Sequence, residues 1–131
     1  MIYSQHFFEH FYYPSPMMDV LLECKRCLKK GAIFSISVPD ATIFTNAYLN
    51  REEEQTVRNM GVYGPGFHYN SSIDYINYIA YMGGIHKYMF DTENLPKILE
   101  KAGFVNIHER PFDKNLDWRG QSIYMQCSTP T

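Results

Sequence analysis

The sequence lacks an excess of charge of either sign. Its 131 residues include 12 Lys and Arg against 14 Asp and Glu, which gives a formal net charge of −2 at pH 7. Proteins that bind nucleic acids or anionic membranes usually carry a basic surface that contacts phosphate groups. We therefore expect neither a nucleic-acid partner nor a membrane partner.

The sequence also lacks long apolar runs, and its number of cysteines is odd. No segment approaches the roughly 18 consecutive apolar residues that a membrane-spanning helix needs. The three cysteines favour reduced thiols over a disulfide framework. These absences predict a soluble cytoplasmic protein, and the length allows at most one ordinary domain.

Cysteine ligands for a metal ion are too few. Cys24 and Cys27 have the C-x-x-C spacing, but a structural zinc site needs two more ligands, and the sequence has no second pair with ligand spacing. A redox pair has its first thiol at a helix N-terminus, whereas these two lie toward the C-terminal end of a predicted helix. We interpret both thiols as core packing and expect no metal ion.

Residues 15–40 show the clearest pattern in the chain. Ser15 is a good N-cap and Pro16 suits the first helical position, so we predict a helix that begins there and ends at Lys30. Gly31 can adopt the left-handed conformation just past that end. One apolar stripe has helical spacing, and it consists of Met17, Val20, Leu21, Cys24, Cys27 and Leu28.

A buried strand is predicted to follow this helix. Residues 32–38 are mostly β-branched or aromatic, and Pro39 ends the ladder. Residues 1–3 are apolar but shorter than a strand of about five residues, so we expect that strand to begin upstream of Met1. A helix between two strands is typical of a parallel βαβ unit, in which ligands bind beyond the carboxyl ends of the strands, here at Pro39 and Asp40.

Residues 41–90 are predicted to form a helical insertion over the carboxyl edge of the sheet. The pattern predicts a helix over 41–49, a solvated charged run over 50–58 and a loop at 61–66. Ser71 or Ser72 can cap a second helix. Its predicted apolar stripe is Ile73, Ile76, Ile79 and Ala80, with Tyr75, Tyr78 and Tyr81 beside it.

The C-terminal part is predicted to be a helix followed by two strands. Asp91 or Thr92 caps the helix, Gly103 follows its end, and strands are predicted over 104–109 and 122–127. A connection of roughly ten residues cannot hold a crossover helix, so the two strands should pair antiparallel. The apolar stripe of the helix is Leu95, Ile98, Leu99 and Ala102.

The order of these elements, together with five short segments, resembles the C-terminal half of class I S-adenosylmethionine-dependent methyltransferases. The resemblance is strongest to the branch that modifies small molecules and sugars, in which a Glu-His pair follows the fourth strand. It covers nearly the whole chain. The segments are residues 5–11, 28–32, 37–40, 86–88 and 99–104.

The resemblance implies an α/β fold with a partial Rossmann-like three-layer methyltransferase sheet. Two parallel strands would be joined by a C-terminal antiparallel pair, with a helical insertion at about 41–90 and the N-terminal half missing. Residues 1–131 would then be a single incomplete domain.

The cofactor of this family is S-adenosylmethionine, and its main binding loop is absent from the sequence. The family holds the cofactor with a glycine-rich turn after the first strand and an acidic residue at the end of the second, and neither is found here. The glycines at 61, 64 and 66 do not follow a predicted strand. We expect the chain alone to bind the cofactor poorly.

The same resemblance implies which residues form the site. Ser4, Gln5 and His6 would lie near the methionine part of the cofactor. Glu9 and His10 match the family's Glu-His pair, and His10 is the candidate general base because an imidazole ordinarily titrates near neutral pH. The alternative interpretation of Glu9 and His10 is a capping pair without chemistry.

Three further residues are candidates for contacts with the acceptor substrate. Asp40 follows the second predicted strand, where it contacts substrate or caps the next helix. His86 matches a recurrent histidine of this branch, although a surface loop explains it equally well. Tyr78 belongs to a row of tyrosines that suits a sugar or aromatic ring, with core packing as the alternative.

The predicted function is the transfer of a methyl group to a small-molecule or sugar acceptor, by an enzyme of which this chain is the C-terminal portion. The alternative is a non-catalytic half-Rossmann module that associates with itself or with a partner through an open strand edge. A cofactor-binding half encoded upstream would favour the enzyme.

Overall fold

The computed structural model describes residues 1–59 and 68–131, so the loop predicted at 61–66 lies outside the described residues. Within them the order across a four-stranded sheet is first, second, fourth and third strand. The first two strands are parallel, and the fourth is antiparallel to both of its neighbours. The predicted α/β class and the antiparallel C-terminal pair are therefore confirmed. The strands are β1 (Ile2–Gln5), β2 (Ile33–Pro39), β3 (Val105–Glu109) and β4 (Ser122–Ser128).

The helix α1 (Met17–Cys27) connects β1 to β2 and ends three residues earlier than predicted. The backbone carbonyl of Lys29 accepts hydrogen bonds from the N–H of Ala32 at 3.0 Å and from the hydroxyl of Thr129 at 2.7 Å. These contacts hold the segment after the helix against the end of β4. Gly31 then adopts the left-handed conformation that the sequence predicted, with φ of +71°.

Two other predictions about α1 are wrong. Ser15 makes no N-cap bond to the backbone, because its hydroxyl donates to a carboxylate oxygen of Asp19 at 2.9 Å. The C-x-x-C thiols do not both pack in the core: Cys24 is half-buried against it, whereas Cys27 is exposed beside Glu23.

The main hydrophobic core lies on one face of the sheet. Phe34, Ile36 and Val38 alternate along β2 toward this face, and each is at most 1% exposed. The helices α1 and α5 (Asn94–Lys101) pack against the same face. Helix and strand residues thereby share one cluster on the buried side of β2.

The predicted stripe and end of α5 are confirmed. Leu95, Ile98, Leu99 and Ala102 are all buried. Gly103 has a φ of +88°, and the N–H of Phe104 donates to the carbonyl of Leu99 at 3.1 Å. This is the Schellman arrangement that a glycine followed by an apolar residue indicates.

The opposite face of the sheet is polar and is covered by residues 110–121. Arg110 and Asp117 form a bidentate ion pair, with Nη1–Oδ2 and Nη2–Oδ1 distances of 2.6 and 2.9 Å. Asp117 also accepts a hydrogen bond from the hydroxyl of Tyr3 at 2.7 Å, and Nε of Arg110 donates to Oγ of Ser35 at 2.8 Å. This buried network fastens the segment to β1 and β2.

A second hydrophobic cluster lies in the helical insertion. It is formed by α2 (Ala41–Leu49), whose bounds were predicted correctly, α3 (Glu54–Asn59) and α4 (Ile73–Tyr81). The cluster consists of Ala41, Phe44, Ala47, Val57, Tyr75, Tyr78 and Ile79.

The predictions for the insertion hold only in part. Residues 50–58 are largely exposed, as predicted for a solvated charged run, but residues 54–58 also belong to α3 and the side chain of Val57 is fully buried. The buried face of α4 contains two tyrosines, whereas Ile73 is exposed. The hydroxyl of Tyr75 donates a hydrogen bond to the carbonyl of Glu52 at 2.6 Å, which compensates the cost of burying this polar group.

No helix in residues 1–59 and 68–131 combines the length and the apolar character that a membrane crossing requires.

Candidate functional site

A cavity of about 160 Å³ lies where the parallel strands β1 and β2 end. This is the edge at which open α/β sheets bind ligands. One wall comes from the residues that follow the strands, and the other comes from α2, α4 and the segment after α4. The described residues that line it are His6, Glu9, His10, Pro39, Phe44, Tyr78, Ile79, Met82, Ile85, His86, Arg119 and Gln121.

His6 leaves β1 in a strained conformation that points the chain toward the cavity. Its φ of +50° is uncommon for a residue with a side chain, and its N–H donates to the carbonyl of Ser37 at 2.8 Å. Its Nε2 lies 2.6 Å from Oγ of Ser122. Burial, followed by the nearby guanidinium of Arg119, lowers the pKa of His6 to about 4. The ring is therefore neutral near pH 7.

Glu9 lies in a 3₁₀ turn (Phe8–His10) and is only 2% exposed. Among the described residues, its Oε1 has no hydrogen-bond partner. Burial raises the pKa of Glu9 to about 7, although its own backbone N–H, His10 and Arg119 oppose the shift. A buried carboxyl oxygen without a hydrogen-bond partner is costly, and within the described residues Oε1 of Glu9 is such an atom.

Backbone hydrogen bonds bring together two histidine segments that are far apart in the sequence. The carbonyl of Glu9 accepts the N–H of Lys87 at 2.8 Å and the N–H of Tyr88 at 3.3 Å. These bonds place His86 beside the 3₁₀ turn. The ring centroids of His10 and His86 are 5.1 Å apart, with an interplanar angle of 80°.

Each of these two histidines is oriented by a backbone carbonyl. Nδ1 of His10 lies 2.8 Å from the carbonyl of Ile85, and Nδ1 of His86 lies 3.1 Å from the carbonyl of Ile79. Because a carbonyl oxygen only accepts hydrogen bonds, Nδ1 carries the proton in each neutral ring and Nε2 carries the lone pair. Burial lowers the pKa of His86, which favours this neutral form.

Five residues that the sequence analysis assigned to the site line the cavity together. They are His6, Glu9, His10, Tyr78 and His86.

The other three predicted residues lie outside its lining. Ser4 is on the face of β1 that packs on the core, in register with Ile36. Oε1 of Gln5 accepts the N–H groups of Trp118 and Arg119, at 3.1 and 3.2 Å. Asp40 caps α2, with Oδ1 accepting the N–H of Thr42 at 2.9 Å. The cap interpretation of Asp40 is therefore the one that the geometry supports.

Sequence reasoning missed Arg119, whose guanidinium brings a positive charge to the cavity. It lies in the 110–121 segment, which the sequence analysis treated only as the connection between the last two strands. Gln5 positions Arg119 by accepting a hydrogen bond from its backbone N–H. Because the two residues are 114 positions apart, no local sequence pattern indicates this contact. The guanidinium lies 4.3 Å from the ring centroid of Trp118.

The described residues do not form a complete site for S-adenosylmethionine. The cavity of about 160 Å³ is smaller than the roughly 300–1,000 Å³ of ordinary ligand pockets. In the described part of the chain, no glycine-rich turn connects a strand to a helix, since α1 is preceded by Pro16 and α2 by Asp40.

The sequence matches no protein-family model and no curated protein sequence at a significant level.

Proposed function

We propose that this chain is the C-terminal portion of an S-adenosylmethionine-dependent methyltransferase that acts on a small-molecule or sugar acceptor. The observation that carries the proposal is the cavity at the carboxyl ends of β1 and β2. Five of the eight residues that the resemblance implies for the site line it, although they are separated by up to 80 positions from His6 to His86.

The sheet supports the proposal at the level of topology. The resemblance implies two parallel strands, a helical insertion and an antiparallel C-terminal pair, and β1 to β4 follow that order. We propose that the outer side of β1, at the edge of the sheet, adjoins the missing half of a Rossmann-like three-layer methyltransferase domain. The donor would then be held mainly by that half.

The side chains of the cavity suit a hydroxylated acceptor. Nε2 of His10 carries a lone pair and can accept a proton from a hydroxyl group, because the carbonyl of Ile85 holds Nδ1–H. Phe44, Tyr78 and Met82 provide an apolar wall against which a sugar or aromatic ring can pack. These residues would orient the acceptor, which is the main task of a catalyst of displacement reactions.

The experiment uses the protein encoded by the complete reading frame and measures conversion of S-adenosylmethionine to S-adenosylhomocysteine. A set of sugars, nucleotide sugars and phenols serves as acceptors. We expect acceptor-dependent turnover that falls by about 100-fold or more in His10→Ala, the range typical of a general base. The control is His108→Ala, since His108 lies on β3 away from the cavity. Equal turnover of the two variants would remove the catalytic role of His10, and turnover independent of any acceptor would contradict the proposal.

A second candidate function is a non-catalytic module that associates through β1. This strand lies at the edge of the sheet, and all four of its residues are half-buried. An exposed edge can pair with another strand. Light scattering on the chain distinguishes the two: the module predicts a dimer or larger assembly at micromolar concentration, and a monomer opposes it.

A further inference from the structure

Glu9, His10 and His86 together form a cluster of potential metal ligands. One ligand atom from each of the three side chains lies within 4.8 Å of the others. Nε2 of His10 and Oε2 of Glu9 are already 3.7 Å apart. At metal–ligand distances of about 2.0–2.2 Å, two ligands of one ion lie roughly 3.3–4.2 Å apart. The Glu9–His10 pair already has this spacing, and a ligand atom of His86 lies within 4.8 Å of both.

The hydrogen bonds around the cluster are compatible with a metal site. Metal-bound histidines usually donate their second ring N–H to a carbonyl or carboxylate, which fixes the tautomer and the ring orientation. The Nδ1 atoms of His10 and His86 have such carbonyl acceptors in Ile85 and Ile79. Each ring therefore keeps an unprotonated nitrogen for a ligand role.

The unsatisfied carboxyl of Glu9 is an independent observation. The residue is 98% buried, and within the described residues its Oε1 has no hydrogen-bond partner. A divalent cation held by this carboxylate, whose Oε2 lies near Nε2 of His10 and whose Oε1 lacks a partner within the described residues, would compensate its buried charge. Arg119, which lines the same cavity, opposes a cation there, so the affinity must come from direct coordination.

We propose that Glu9, His10 and His86 bind one divalent transition-metal ion of the zinc type, with a fourth position open to the cavity. Two imidazoles and one carboxylate favour such an ion over magnesium or calcium, which prefer oxygen ligands alone. Three protein ligands and an open position are typical of catalytic rather than structural zinc sites. This departs from the expectation of no metal ion, which rested on cysteine spacing.

The ion would accept an oxygen atom of a small molecule at its open position. Nε2 of His10 cannot coordinate an ion and accept a proton at the same time. When the ion is bound, it would replace His10 as the group that favours a deprotonated acceptor hydroxyl. Metal binding itself does not rest on the proposed function, because it follows from the three side chains alone.

The test is calorimetric titration of the chain with zinc sulfate after treatment with EDTA and removal of the chelator. We expect one ion per chain. Glu9→Gln keeps the shape of the side chain and should weaken binding by at least about 100-fold, more than the 10–100-fold typical of losing an outer-shell partner. His10→Ala should have a similar effect. The control His108→Ala removes an exposed imidazole on β3 and should bind as the unmodified chain does.

Cobalt(II) provides a second measurement on the same proteins. The unmodified chain and His108→Ala should give the same visible absorption spectrum on addition of one equivalent, and Glu9→Gln should not. Circular dichroism verifies that each variant is folded. Absence of stoichiometric zinc binding, or equal affinity of Glu9→Gln and the unmodified chain, would overturn the metal site. Neither result would affect the proposed methyltransferase, whose assay does not depend on zinc.

Discussion

Burial shifts the pKa values of Glu9 and His6, which both line the cavity, in opposite directions. Glu9 retains its proton to about pH 7, whereas His6 loses its proton at about pH 4. Burial disfavours the charged form of each group, so both shifts have the same physical cause. Near pH 7 the ring of His6 is therefore neutral, whereas the guanidinium of Arg119 brings a positive charge to the same cavity.

The stability of the variant Glu9→Gln, relative to that of the unmodified chain, should increase as the pH rises. In the unfolded chain a glutamate loses its proton at about pH 4.3, whereas folded Glu9 keeps its proton to about pH 7. Between these pH values the unfolded state binds fewer protons than the folded state. The free energy of unfolding therefore falls as the pH rises. The stability of Glu9→Gln relative to the unmodified chain should grow by up to about 3 kcal/mol between pH 4.5 and 8.

Urea unfolding of both proteins in EDTA at several pH values measures this difference. His6 and His86, whose pKa values are lowered, add a slope of the opposite sign, but they are present in both proteins and cancel in the comparison. A difference that does not change with pH would show that Glu9 is not buried as an unpaired carboxyl.

At the scale of elements, the side chain of Asp117 attaches the segment 110–121 to the sheet. Asp117 joins Arg110, Tyr3 and the N–H of Asp113, and Asp117 is 3% exposed. The hydrogen bonds of Arg110, opposed by burial, lower the pKa of Asp117 to about 2. The same segment brings Arg119 to the cavity, so its attachment couples the polar face of the sheet to the candidate site.

The variant Asp117→Asn should lower the free energy of unfolding by about 3–5 kcal/mol, because it leaves the guanidinium of Arg110 buried without its charge partner. A matched control is Glu93→Gln, which removes an exposed ion pair with Lys97 and should change stability by less than about 1 kcal/mol. Thermal and urea unfolding at pH 7 measure both. Similar stabilities of the two variants would contradict the buried network.

The pH dependence of Asp117 has the usual sign for a paired carboxylate. Its folded pKa lies below its unfolded value of about 3.9, so its contribution is complete above about pH 4 and is lost as the pH falls toward 2. The difference in the free energy of unfolding between the unmodified chain and Asp117→Asn should therefore shrink as the pH falls from about 4 toward 2.

Elements with complete local signals were predicted well from the sequence. The helix 41–49 and the end of α5 at Gly103 depend on a cap, a spacing and one left-handed glycine, all within one segment. The errors depend on distant contacts. The hydroxyl of Thr129 binds the carbonyl of Lys29 just past the end of α1, and the helix α3, which the pattern did not predict, contributes Val57 to the second cluster.

Prediction of the candidate site was likewise limited by contacts between residues that are distant in the sequence. The Glu9–His10 pair and His86 were identified from short motifs, but their contact depends on hydrogen bonds between Glu9 and residues 87 and 88, which no local pattern contains. Arg119 was missed for the same reason, since Gln5 positions it across the sheet.

At the scale of the whole molecule, the cavity lies between the two hydrophobic clusters. His6 and Pro39 come from the sheet side, whereas Phe44 and Tyr78 come from the helical insertion. The insertion therefore forms one wall of the site, the position from which substrate-selecting segments act. In this account the chain supplies the acceptor side, and the donor side comes from the remainder of the enzyme.

Calorimetric titration with S-adenosylmethionine, applied to the 131-residue chain and to the protein of the complete reading frame, tests this account most directly. We predict a dissociation constant in the micromolar range for the complete protein, about −8 kcal/mol, and binding at least 100-fold weaker for the chain alone, a loss of about 2.7 kcal/mol or more. Equally tight binding by both, or no binding by the complete protein, would contradict the assignment of this chain to the acceptor side of a methyltransferase.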